Sequence, residues 1–190
     1  MLALLLVGLM RSAAADDSNA EFLSHLFRVA CLANLGNPGA TRAWASAQNL
    51  QPITDPAALQ VFAGPGPSAP GTSNAASSPA AAWVVFGPGR DWFAVSLRGA
   101  VESCAVWARQ ADPAAVRAAF LRGVRDPEKP DLDVRDLGER TSATPFGPLS
   151  IALFRIVNRT GGGFIFTVIT SERSGGAFQA SLQVAPVPTR

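Results

Sequence analysis

The sequence predicts an α+β fold: a mostly antiparallel, twisted sheet of about six strands with helices packed on one face, in the order α-α-βββ-α-βββ. Three observations predict it. Apolar residues recur at three- and four-residue spacing over residues 22–31 and again over 116–124, but at two-residue spacing through most of the rest. The two-residue runs are short and end at Gly- and Pro-rich breaks, as strands of a meander do. The chain's two cysteines, Cys31 and Cys104, fall one on a helical stripe and one on a strand face, ready to join the two layers.

The first element is not part of the fold. Leu2 to Met10 is an unbroken apolar run, followed by the small residues Ala13, Ala14 and Ala15, which is the pattern of a secretory signal with cleavage after Ala15. The run is too short to span a bilayer, which takes roughly 20 apolar residues. No Lys or Arg precedes it, so the expected start of translation lies further upstream. Residues 16–190 are then expected to form one α+β domain without a transmembrane anchor.

Ser18-Asn19-Ala20-Glu21 matches a capping box and predicts a helix whose buried stripe is Phe22, Leu23, Leu26, Phe27, Ala30 and Cys31. Asn37-Pro38 starts a second helix through Trp44 to about Gln48, because Asn caps and Pro suits the first helical turn. Asp55-Pro56 repeats the device for a turn or two ending near Gly64. Residues 64–79 are Gly, Pro, Ala, Ser, Thr and Asn without apolar period, and predict a flexible surface loop.

Strands are expected over residues 83–86, 92–98 and 102–109, the turns being Gly87-Pro88-Gly89 and Gly99-Ala100. Phe93, Val95 and Leu97 share one face with Cys104, Val106 and Ala108, so the core lies on that side. Asp112-Pro113 opens a third helix buried through Val116, Ala119, Phe120 and Val124. Residues 125–148 read as a charged, punctuated stretch, with an edge strand within 134–141 as the alternative. Three further strands follow at 149–157, 163–171 and 177–187, the last with Phe178, Ala180, Leu182 and Val184 on one face and Gln179, Ser181 and Gln183 on the other.

In an exported chain an isolated cysteine pair predicts a disulfide, here between Cys31 and Cys104. The other candidate chemistry is sparse. His25 is the one histidine, on the side of its helix away from the stripe, and no G-x-S-x-G elbow exists to present a nucleophile to it. No catalytic residue, metal ligand set or cofactor motif is expected. Asp126, Asp131, Asp133, Asp136 and Glu139 crowd one segment, but Arg122, Arg125, Lys129, Arg135 and Arg140 interleave with them, the pattern of a solvated charged surface. Gly161-Gly162-Gly163 lies between strands, so it is a turn and no phosphate loop.

The chain has 16 basic and 14 acidic residues, and loss of Arg11 with the signal leaves 15 against 14. The arginines are scattered singly, which excludes a nucleic-acid partner, since that needs a continuous basic stripe. Trp92 and Trp107 have the parity opposite to the core-facing residues, and form a candidate binding patch on the far side of the sheet.

"FRVACLAN" at residues 27–34, "DWFAVSLRGAVESCAVWARQADPAAVRAAF" at 91–120, and the closing "GGFIFTVITSE" with "FQASLQV" resemble an uncharacterised family of short secreted proteins and lipoproteins of Gram-negative bacteria. The resemblance implies a periplasmic setting and supports the disulfide; it implies no activity and no functional residues. The chain departs from it in the long 64–79 loop and in Glu102-Ser103 before the cysteine. The function expected is a periplasmic, non-enzymatic interaction or accessory protein whose partner is another envelope protein. Two alternatives stay open: an envelope hydrolase using carboxylates, and a small-ligand binder with a cavity between helices and sheet.

Overall fold

A computed structural model describes residues 18–35, 37–62, 79–98, 103–124, 132–144, 147–158, 163–173 and 176–187. The expected signal peptide at 1–15, residues 64–78 of the expected loop, and Asp126 and Asp131 lie outside the described residues.

Helix α1 covers residues 18–27 and runs on into a π-helical turn, Arg28–Leu32. Ser18 is already helical, so it does not cap the helix as the capping box suggested, and Glu21 pairs with Arg122 across the interface instead. The next three starts follow the Asx-Pro signals. The Asn37 carboxamide oxygen accepts from the Ala40 amide at 3.0 Å ahead of α2, Pro38–Ala47. Asp55 Oδ1 accepts from Ala57 at 3.0 Å ahead of α3, Pro56–Val61. Asp112 Oδ1 accepts from Ala115 at 2.7 Å ahead of α4, Pro113–Val124. Each bond satisfies an amide that the first turn of a helix leaves without an internal partner.

The strands are β1 (Gln51–Pro52), β2 (Pro79–Phe86), β3 (Trp92–Arg98), β4 (Ser103–Ala108), β5 (Leu132–Thr144), β6 (Gly147–Asn158), β7 (Gly163–Ser171) and β8 (Ala180–Pro186). They form one eight-stranded antiparallel sheet in the order β1-β2-β3-β4-β8-β7-β6-β5. The expectation of about six strands, in two groups of three, is therefore corrected to two meanders of four that join through their last strands, β4 and β8. Both additions are edge strands. With two residues, β1 is too short to show a period. From Asp133 to Thr144, β5 presents mostly exposed side chains, so its alternation is of charges rather than of apolar groups, and a bulge at Asp136/Gly138 breaks the register.

The main core fills the face covered by α1, α2 and α4. Leu23, Phe27, Val116 and Phe120 meet Phe93, Val95, Val106, Phe154, Phe166 and Leu182 there. Phe120 stands at the centre of an aromatic network, 5.3 Å from the Phe154 ring centroid and 6.4 Å from Phe27. The disulfide Cys31–Cys104 links the π turn to β4 with Cα atoms 5.5 Å apart. The wider turn exposes the Ala30 carbonyl, which accepts from Asn34 Nδ2 at 3.0 Å and from the Thr41 hydroxyl at 3.1 Å.

Helices do not occupy one face only, which corrects the second part of the fold expectation. α3 lies on the opposite face, where Leu59 and Phe62 pack on Ala82, Ala94, Ala105 and Trp107. The reason is local: α3 follows the edge strand β1, and the Ile53 amide bonds the Ala82 carbonyl at 2.8 Å, so the chain leaves the sheet edge on the second face.

Candidate functional site

The second face brings the two candidate tryptophans together, as their parity requires, but under a cover. Trp107 is buried, and its Nε1 donates to the Ser96 hydroxyl at 2.9 Å. Phe62, arriving from the end of α3, packs edge-on against Trp107 at 5.7 Å. Trp92 is half-buried and stacks on Phe178 at 5.4 Å with 22° between the ring planes. Phe178 was expected beside Ala180 and Leu182 on the core side. It sits on the other face because β8 begins only at Ala180, and residues 176–179 form bends in which alternation does not hold.

Four aromatic rings thus make a platform, and Trp92 forms its rim. An open cleft of about 240 Å³ lies there, lined by Arg90, Asp91, Trp92, Arg109 and Gln110. The β2–β3 connection builds one wall. Gly87 sits where any Cβ would stand 2.4 Å from the Phe93 ring, so only glycine lets the chain cross the core edge at this point. The turn then passes through a 3₁₀ segment, Pro88–Arg90, and Arg90 takes a left-handed φ of 68°. A non-glycine residue in that region is strained, and such strain is held where the surrounding structure over-determines it. The surrounding bonds are on view: the Gly87 amide donates to the Asp91 carbonyl at 2.9 Å, and Asn19 Nδ2 donates to Asp91 Oδ2 at 2.7 Å, tying the turn to α1.

The other wall is the exit of β4, where the Arg109 amide donates to the Trp92 carbonyl at 3.1 Å. Arg90 and Arg109 are both exposed, and neither is in an ion pair among the described residues. Phe86, directly opposite Trp92 in the β2–β3 register, is 65% exposed, the most exposed large apolar side chain among the described residues. The arrangement offers an apolar rim, a half-buried indole and two guanidinium groups without partners, which is the composition of a contact surface for a group that is both flat and anionic.

Comparison with family models, curated proteins and solved structures finds no match for this chain.

The remaining sequence candidates are accounted for individually. His25 is exposed on α1. Asp133 pairs with Arg135, Asp136 accepts from the Gly138 amide at 2.8 Å, and Glu139 is held by Arg117 and the Ser150 hydroxyl, which together set its carboxyl below the ordinary range. No group of three or more His, Cys, Asp or Glu residues that could hold a metal ion occurs among the described residues. Sequence reasoning missed Phe86, Arg90 and Arg109. Phe86 was within reach: it and Trp92 flank one tight turn, and antiparallel pairing places such residues opposite each other.

Proposed function

We propose that this protein is a non-enzymatic interaction module of a Gram-negative cell envelope, exported by its N-terminal signal, that holds another envelope protein at the Trp92 cleft. The observation that carries the reading is the conjunction of Trp92, Arg90 and Arg109 around one opening on a rigid aromatic base, with the exposed Phe86 paired beside Trp92 across β2 and β3. Aromatic and arginine side chains on well-packed supports supply most of the binding energy in protein interfaces. The Cys31–Cys104 disulfide supports an oxidising compartment. No helix among the described residues is long and apolar enough to cross a membrane.

The two alternatives receive less support. The 240 Å³ cleft holds a single carboxylate, Asp91, already bonded to Asn19, where hydrolysis needs two converging acids. The space between α1, α2 and the sheet beside the disulfide amounts to about 10 Å³, room for no more than a water molecule.

The test is retention of envelope proteins on immobilised mature chain, comparing it with a Trp92→Ala/Arg109→Glu variant of unchanged melting temperature. Loss of a hot-spot pair should weaken the principal partner by at least about tenfold. An identical set of partners retained at identical strength would remove the proposal.

A further inference from the structure

Arg98 ends β3 at the opposite end from Trp92, about 20 Å away for a strand of this length. It shares the second face with Ser96 and Ala94, because side chains alternate along the strand. Its side chain is only 7% exposed, yet Nε and Nη2 have no hydrogen-bond partner. No ion pair to it exists among the described residues. Residues 63–78 contain no Asp or Glu in their sequence, and residues 99–102, which follow Arg98 directly, contain one acid, Glu102.

A buried charge in this state is costly. Burial lowers the affinity of the guanidinium for its proton, but an arginine does not give that proton up in a protein, so the charge stays. Removing a full charge from water without a counter-charge is among the most destabilising arrangements a fold can contain. The two unsatisfied atoms are also not a random pair. Nε and Nη2 lie on one edge of the guanidinium plane and direct two parallel N–H bonds outward, the fork that two oxygens of a carboxylate or a phosphate match. The rest of the second face near the end of β3 is built from small residues: Ser103 stands directly across on β4, with Ala105 beside it and Ser96 two places back along β3.

We propose that Arg98 is the seat of an oxyanion site, taking a carboxylate or phosphate group side-on through Nε and Nη2, separate from the Trp92 cleft. The site does not depend on the interaction reading: a protein that fails to hold any partner at Trp92 can still bind an anion at Arg98, and the reverse.

The experiment follows the Arg98 Nε–H resonance of the ¹⁵N-labelled mature chain, assigned by its absence in Arg98→Lys. Sodium acetate and sodium phosphate are titrated separately in a buffer otherwise free of oxyanions, at ionic strength held constant with chloride. The expected result is a saturable downfield shift of this one resonance with at least one of the two anions, accompanied by a rise in melting temperature. Arg98→Lys, which keeps the charge and loses the fork, should bind that anion about tenfold more weakly. Saturation with acetate alone assigns a carboxylate, and with phosphate alone a phosphate group. A resonance that does not move with either anion, or that already shows a charge-assisted hydrogen bond before any is added, would overturn the proposal. Should Arg98→Lys fail to fold, the resonance is assigned by through-bond correlation from the Arg98 backbone amide, and the titration of the unmodified chain decides by itself.

Discussion

The inner strands of the first meander, β3 and β4, are buried on both faces, while β7 of the second is buried mainly on one. From Phe93 to Arg98 every residue of β3 is buried, and so is every residue of β4 from Cys104 onward. In β7 the middle of the strand alternates, with Phe166 and Val168 buried toward the helices and Ile165 and Thr167 half-exposed. The helix side is apolar in both halves, so the difference arises on the second face. There α3 and Phe62 cover the first meander, whereas Thr167 and Gln183 face each other across β7 and β8 as half-buried polar groups. A strand covered twice can present side chains for binding only at its ends. The surface that binds is therefore expected at the margin of the cover, where Phe86 and Trp92 emerge.

If this contrast is real, Phe62→Ala is the change that destroys it. Truncating a phenylalanine buried among Trp92, Trp107 and Phe178 should cost about 3–5 kcal/mol in urea unfolding. The matching change on the second meander, Thr167→Ala, should stay within about 0.5 kcal/mol. Equal effects would show that the two halves are not differently covered.

The disulfide comes next. It closes a 73-residue separation, and replacing both cysteines by serine should cost up to about 4 kcal/mol on the chain-entropy account, measured against the oxidised chain. Trp107→Phe keeps an aromatic ring but loses the pyrrole part of the indole and with it the donor to Ser96, leaving a buried hydroxyl without its partner. A loss of about 1–2 kcal/mol is expected, and Ser96→Ala in the same background should add little. A large further loss would mean that Ser96 has another role.

The smallest effect belongs to the far edge. Arg117 and Glu139 join α4 to β5 as an exposed pair, so Arg117→Ala should cost no more than about 0.5 kcal/mol and less in high salt. The pH dependence has a definite sign. Ser150 and Arg117 hold the Glu139 pKa below its ordinary value, so the contribution is present above the ordinary carboxylate pKa and disappears as pH falls through the lowered one. Acid titration of stability should lose part of this slope in Arg117→Ala.

Much of the site was legible from parity alone. That Trp92 and Trp107 lie away from Phe93, Val95 and Cys104 follows from the two-residue period, and the strands carry it through unbroken. Phe178 shows where the same reasoning stops: periodicity extrapolated across the bends at 176–179 assigns the wrong face, because alternation is a property of extended backbone and not of sequence spacing. Arg90 and Arg109 carried no pattern. They are single residues, Arg90 in the turn before β3 and Arg109 just after β4, and only the pairing of β3 with β4 brings them to one cleft.

By itself, the sequence determined the local events: the Asx-Pro helix starts, the alternation within each strand, the helical stripe that carries Cys31, and the pairing of that cysteine with Cys104. These depend on residues a few positions apart, or on there being a single partner available. The tertiary structure decided which face α3 covers, how far β5 extends as an edge, that the meanders join through β4 and β8, and that Arg98 is buried without a counter-charge among the described residues. Those outcomes depend on contacts between segments distant in the chain, whose free energies no local pattern encodes.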